Sequence, residues 1–137
     1  MTVNEVITQL GSVKPHAFTD DVLCKWLSQL DGQLFEDVVK WHRFPMKQDE
    51  EGKLHPDYPS HGPYTEDDME KVLMIPSPYD DVYIKWLSAQ IDYNNHDIGR
   101  YNNSMVMYNQ ALKSYTDWLN RNYLPLQLTY IDSRVRE

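Results

Sequence analysis

Cysteine is almost missing from this chain of 137 residues: Cys24 stands alone. No intrachain disulfide can hold the fold, and a single thiol suits a reducing compartment. Cys24 lies in a helical pattern and reads as a small buried hydrophobe. The five glycines, Gly11, Gly32, Gly52, Gly62 and Gly99, are isolated from one another, so no glycine-rich loop is present to cradle a phosphate. Positive charge is also short. Thirteen Lys and Arg against 21 Asp and Glu leave a net charge of −8, which argues against a domain that grips nucleic-acid phosphates with a basic face. No apolar run approaches the roughly 20 residues that cross a bilayer. Residues 1–25 lack a basic stretch leading into an apolar one, so a signal peptide is not expected either. The expectation is a soluble, intracellular chain with no membrane contact.

What remains is ordinary globular material, 41% hydrophobic and 25% charged, of a length that makes one domain, 1–137. The apolar fraction is unusual in kind. Ten Tyr, four Trp and six Met stand against three Phe. Large amphipathic side chains are favoured where proteins meet, so the composition leans toward an assembly protein.

Four helices are expected. Thr2 followed by Glu5 has capping-box spacing, and Val3, Val6, Ile7 and Leu10 form a face that Gly11 is expected to end. Thr19 with Asp20 and Asp21 opens a second helix, with Val22, Leu23, Trp26, Leu27 and Leu30 inward and Asp31-Gly32 as its stop. Residues 34–41 fit a helix or a strand equally. A third helix follows Asp80-Asp81, with Val82, Tyr83, Trp86, Leu87, Gln90 and Ile91 on its face, and Asn94 to Asp97 break it. Tyr101, Met105, Tyr108, Leu112, Tyr115 and Leu119 mark a heptad-like seam for the fourth, which ends near Asn122 before Pro125. The short break predicts an antiparallel C-terminal hairpin. The fold class expected is therefore all-α, a small helical bundle, with a long irregular loop or short β-hairpin at about 38–76. Within that stretch, residues 42–65 read as the loop and Val72–Ile75 as a strand, with Val38–Trp41 its candidate pairing partner. Residues 124–137 form an extended tail. One similarity recurs at an offset of 60: Asp20-Asp21-Val22 with Lys25-Trp26-Leu27-Ser28 matches Asp80-Asp81-Val82 with Lys85-Trp86-Leu87-Ser88. A pseudo-repeat and convergence of two amphipathic helices explain it equally well.

Chemistry has few footholds. His42, His55, His61 and Asp57 lie in or beside the loop and could bind zinc or a similar ion, though their spacing matches no zinc template. Solvated loop histidines and a small metal-dependent enzyme or binding module are the two readings. Cys24 sits among core-type neighbours rather than beside a histidine, so a nucleophile–base pair is not expected. Neither catalysis nor a cofactor is expected. A helical module that binds a partner helix in a groove is a further reading. Eight tyrosines crowd the last 60 residues, more phenols than one small core readily buries and hydrogen-bonds. Tyr79, Tyr101, Tyr108 and Tyr130, with Arg134 and Arg136 in the tail, are the candidate partner contacts.

Several segments resemble one family: Pro76-Ser77-Pro78-Tyr79-Asp80, Ile91-Asp92-Tyr93-Asn94-Asn95, Tyr101-Asn102-Asn103-Ser104-Met105, then Asn109 and Tyr115, with Lys14-Pro15 and Asp20-Asp21-Val22-Leu23 upstream. They are similar to the head–tail connector, or head-completion adaptor, proteins of long-tailed bacteriophages and prophages. The likeness covers residues 12–31 and 72–123. It departs at 42–65, which is longer than expected, and at Asn95-His96-Asp97, where Asn-Gly-Glu is expected. The resemblance implies an all-α domain that forms a ring, commonly of twelve, beneath the portal protein and continues the DNA channel toward the tail. It implies that residues 124–137 face the portal and that 42–65 meets the next neck protein. It also implies a life in the host cytoplasm during assembly and then at the head–tail junction of the virion. A charge of −8 multiplied around a ring would let DNA slide past without being held.

Overall fold

The computed structural model describes residues 1–126. Four helices carry most of the described residues: α1 (Val3–Val13), α2 (Asp20–Asp37), α3 (Asp81–Asn94) and α4 (Ile98–Asn122). Between α2 and α3 lie a two-stranded antiparallel ribbon, β1 (Met46–Gln48) with β2 (Leu54–Pro56), and short 3-10 turns at Val39–Trp41 and Glu66–Asp68. The fold is mostly helical with one small sheet, and that sheet is a short β-hairpin within the 38–76 stretch, as one of the two expectations for it had it. The tail positions Tyr130, Arg134 and Arg136 lie outside the described residues.

α1 starts as its sequence dictates. The Thr2 hydroxyl accepts from the Glu5 amide and the Glu5 carboxylate from the Thr2 amide. Val3, Val6 and Leu10 are fully buried. The helix runs through Gly11, where an added Cβ would touch nothing, and ends at Lys14, because Pro15 pushes its predecessor out of the helical region. α2 likewise ignores its expected stop. It continues through Asp31-Gly32 to Asp37, and Asp31 is wholly buried. The Asp31 carboxylate accepts from the Tyr64 hydroxyl at 2.5 Å, the Tyr83 hydroxyl at 2.8 Å and the Met74 amide at 3.2 Å. A side chain read as punctuation is thus the polar hub that fastens the loop and α3 to α2.

The loop is more structured than its prolines suggest. Asp49 caps a tight turn whose fourth residue, Gly52, sits at φ +85°, in the left-handed region that glycine enters freely. The ribbon pairs Met46 with Pro56, Lys47 with His55 and Gln48 with Leu54. Residues 38–41 form a helical turn, not a strand. Val72 bridges to Thr2 rather than to the 38–41 region, and Leu73, Met74 and Ile75 enter the core as irregular chain.

The two similar segments occupy matching places. Leu27 and Leu87 are fully buried, while Trp26 and Trp86 are half-buried at the edge of the core. Leu27→Ala and Leu87→Ala are each expected to destabilise the chain by about 2–5 kcal/mol, the range for emptying a packed leucine site. Urea unfolding followed by circular dichroism checks this; a loss under about 1 kcal/mol at either site would mean that the position is not packed.

α3 and α4 run antiparallel. Tyr93 near the end of α3 meets Tyr101 near the start of α4, with ring centroids 5.5 Å apart, and Tyr79 just before α3 meets Trp118 near the end of α4 at 5.7 Å. At 1.5 Å per residue, the 14 residues of α3 span about 21 Å and the 25 of α4 about 37 Å. α4 therefore outruns its partner by 25 − 14 = 11 residues. The last turn of α4, past Trp118, overhangs α3 and lies against the loop: Asn120 bonds His42, and Tyr123 stacks on Phe44 at 4.3 Å.

Candidate functional site

The seam tyrosines separate into core and surface. Tyr83 is fully enclosed, Tyr115 is buried to 2% exposure, and Tyr108, expected at a partner contact, is buried as well. Its heptad position turns it into the chain's own core cluster. Burial pushes the Tyr108 phenol above its ordinary pKa. Tyr79 and Tyr101 are half-buried. The Tyr79 hydroxyl accepts from Arg121 at 3.4 Å, so both tyrosines keep part of their surface at the ends of the helical hairpin. Cys24 is buried, and burial followed by the nearby carboxylates raises its thiol pKa, which makes it a poor nucleophile.

The histidines do not converge. His42 is buried, with Nδ1 2.9 Å from the Val38 carbonyl and Nε2 2.6 Å from the Asn120 side-chain oxygen, so both nitrogens are engaged within the protein. His55 stands on the ribbon opposite Lys47. His61 stacks on Phe35 at 3.8 Å with its Nδ1 3.2 Å from the Pro59 carbonyl. Among the described residues, no group of three His, Cys, Asp or Glu side chains is placed to hold a metal ion. No helix among them is long and apolar enough to cross a membrane.

Three surfaces stand out instead. The first is the outer side of α4. From Ile98 to Leu112 the only charge is Arg100, and Ile98, Val106 and Met107 are exposed. A helix face this poor in charge is better suited to protein contact than to water. The second is a polar groove of about 430 Å³ where α1, α3 and α4 meet, lined by Lys14, Asp92, Arg100 and Ser104 among others. Its charges are already matched, Lys14 to Asp92 and Arg100 to Asp97. The third is a groove of about 330 Å³ under the overhang of α4, walled by Phe44, Tyr58, Tyr115, Trp118 and Tyr123 with Asp57 at its rim. Phe44 and Tyr58 meet edge-on at 5.3 Å, and Trp118 stands at 6.1 Å from Tyr123.

The ribbon adds a projecting arm. Successive strand residues alternate faces, so the register puts Met46, Gln48, Leu54 and Pro56 on one side. Met46 is 57% exposed and Leu54 67%. The turn signature of an Asp followed three residues later by Gly was available in the sequence to reveal this arm. The aromatic groove had no such signal, because its walls come from the loop, α4 and the chain after it. Comparison with protein-family models, curated proteins and solved structures finds no match to this chain.

Proposed function

We propose that this chain is a structural virion protein, a head–tail connector of the adaptor kind that joins copies of itself into a ring beneath a portal and extends the DNA channel toward the tail. The observation that carries the reading is the α3–α4 hairpin. It bears most of the segments that resemble connector proteins, and its longer helix leaves a partly apolar half, with Arg100 its single charge, open along Ile98, Val106 and Met107. His96 adds support. It holds φ +59°, a conformation natural to glycine, at the turn where the resemblance leads one to expect glycine. On this reading a ring of twelve is the expected assembly and Tyr79 and Tyr101 flank the subunit contact. The ribbon arm within 42–65 meets the next neck protein, and residues 124–137 with Tyr130, Arg134 and Arg136 reach the portal. DNA passes an acidic lumen without specific binding. The protein works first in the host cytoplasm and then at the head–tail junction.

Electron microscopy of the purified chain mixed with portal protein tests the reading; no ring and no portal association at any concentration overturns it. Val106→Glu combined with Met107→Glu is expected to abolish ring formation, because several introduced charges would face one another around the ring. Helix content stays unchanged, since both side chains are exposed. Native mass spectrometry reads the first outcome and circular dichroism the second. A variant that still forms rings moves the subunit contact off α4.

A further inference from the structure

The groove under the overhang of α4 combines three features that ask for the same ligand. Trp118, Tyr58 and Tyr123 are half-buried aromatic rings on its wall. Asp57 is an exposed carboxylate at the rim. Tyr115 is 2% exposed, and its hydroxyl makes no hydrogen bond with any described residue. A phenol held this deeply ordinarily finds a partner. No fully enclosed polar side-chain atom in the described protein lacks one, so the oxygen opens onto solvent, and Tyr115 lines the groove. Ring faces attract a cation, a carboxylate attracts the same cation, and a phenol oxygen accepts an N–H. An apolar group would leave Asp57 and Tyr115 unanswered, and an anion would meet Asp57 and the negative ring faces.

We propose that this groove receives the guanidinium of an arginine presented by a partner protein, stacked against Trp118 and Tyr58 and bonded by Asp57 and the Tyr115 hydroxyl. A guanidinium fits better than an ammonium because it is flat, stacks on rings and donates from several N–H groups in a fixed fork. A polypeptide fits better than a free small cation because the surroundings are apolar as well. Pro59 and Pro76 line the groove, and Leu124, beside Tyr123 in the chain, is exposed. A peptide that delivered the arginine would cover them. The proposal does not depend on the ring reading, since a ring can form with the groove empty and the groove can bind without a ring.

The test is a titration of the full chain with a short capped peptide bearing one central arginine, followed by NMR at the indole N–H of Trp118. The expected result is a saturable shift. The citrulline peptide, which has the same shape without the charge, is expected to bind about tenfold more weakly or worse. Asp57→Asn and Tyr115→Phe are each expected to weaken arginine binding by about fivefold or more. Asp57 is exposed and Tyr115→Phe removes a single oxygen, so both variants keep the fold, as their circular dichroism verifies. No saturable shift, equal binding of the two peptides, or indifference to both substitutions overturns the proposal. A lysine peptide that binds as tightly as the arginine peptide overturns the guanidinium assignment.

Discussion

Asp31→Ala is expected to lower the unfolding free energy by about 3–5 kcal/mol, a large share of what holds a domain of this size together. The carboxylate is wholly enclosed and accepts three bonds, from Tyr64, Tyr83 and the Met74 amide. Alanine leaves two phenols and an amide without that acceptor. Each unpaired buried donor costs about 1–3 kcal/mol, partly relieved where a hydroxyl can turn; Tyr83 also accepts from the Ile75 amide at 2.8 Å. The damage spreads because the three donors belong to different segments: the loop, the irregular chain at 73–75, and α3. Asp31→Asn keeps the shape and one acceptor oxygen but turns an NH2 toward donors, so a smaller loss of about 2 kcal/mol is expected.

The same residue sets a pH dependence. Burial raises the Asp31 carboxyl above the ordinary carboxylate range, against the lowering effect of the bonds from Tyr64, Tyr83 and Met74 and of the nearby His61. Burial, and then the Asp31 charge, raises Tyr83 in turn. A carboxyl with a raised folded pKa contributes stability that is fully present below its unfolded pKa of about 3.9 and is lost as pH rises through the folded value. The stability advantage of the native chain over Asp31→Asn is therefore expected to be largest in acid and to shrink as pH rises. Urea unfolding of both proteins from pH 3 upward reads this directly. An advantage that grows with pH would mean that the three hydrogen bonds outweigh burial.

Local signals were legible and long-range ones were not. The capping box at Thr2 and Glu5, the start of α2 after Thr19, and the whole of α4 depend on neighbours within one or two turns, and all three form where the spacing put them. Asp31-Gly32 looked like a stop because Asp and Gly favour turns. What overrides that preference comes from Tyr64, Met74 and Tyr83, which lie 33, 43 and 52 residues downstream. Val72 pairs with Thr2 across 70 residues, which no local pattern announces. Tyr108 shows the converse limit. A heptad stripe says that a helix face is apolar, and only the packed structure says whether that face meets its own domain or another. Of the candidate contacts, Tyr79 and Tyr101 keep open surface and Tyr108 does not. The metal reading of His42, His55 and His61 drew on closeness in sequence, whereas the ribbon, the Phe35 stack and the Asn120 bond draw the three imidazoles into separate settings.

The second large effect belongs to Lys14. Lys14→Met is expected to cost about 2–4 kcal/mol, because it strands a buried anion. Asp92 near the end of α3 is 2% exposed. One of its oxygens takes the Lys14 ammonium at 2.5 Å and the other accepts from the Ser104 hydroxyl at 2.8 Å. These contacts join the end of α1, α3 and the first half of α4 at a single carboxylate. Without Lys14, Asp92 keeps one hydroxyl and no counter-charge in a place water scarcely reaches. The reverse substitution is milder. In Asp92→Asn the lysine can swing its ammonium into solvent along its flexible stem, since its own side chain is 20% exposed, and a loss of about 1–2 kcal/mol is expected. Removing both charges with Lys14→Met and Asp92→Asn together should then recover part of the Lys14→Met loss, because no buried charge is left unpaired. Urea unfolding of the three variants closes the cycle. Losses that simply add, or an Asp92→Asn loss larger than that of Lys14→Met, would mean that Asp92 is solvated well enough to do without its partner, and the α1 end would then be held by packing alone.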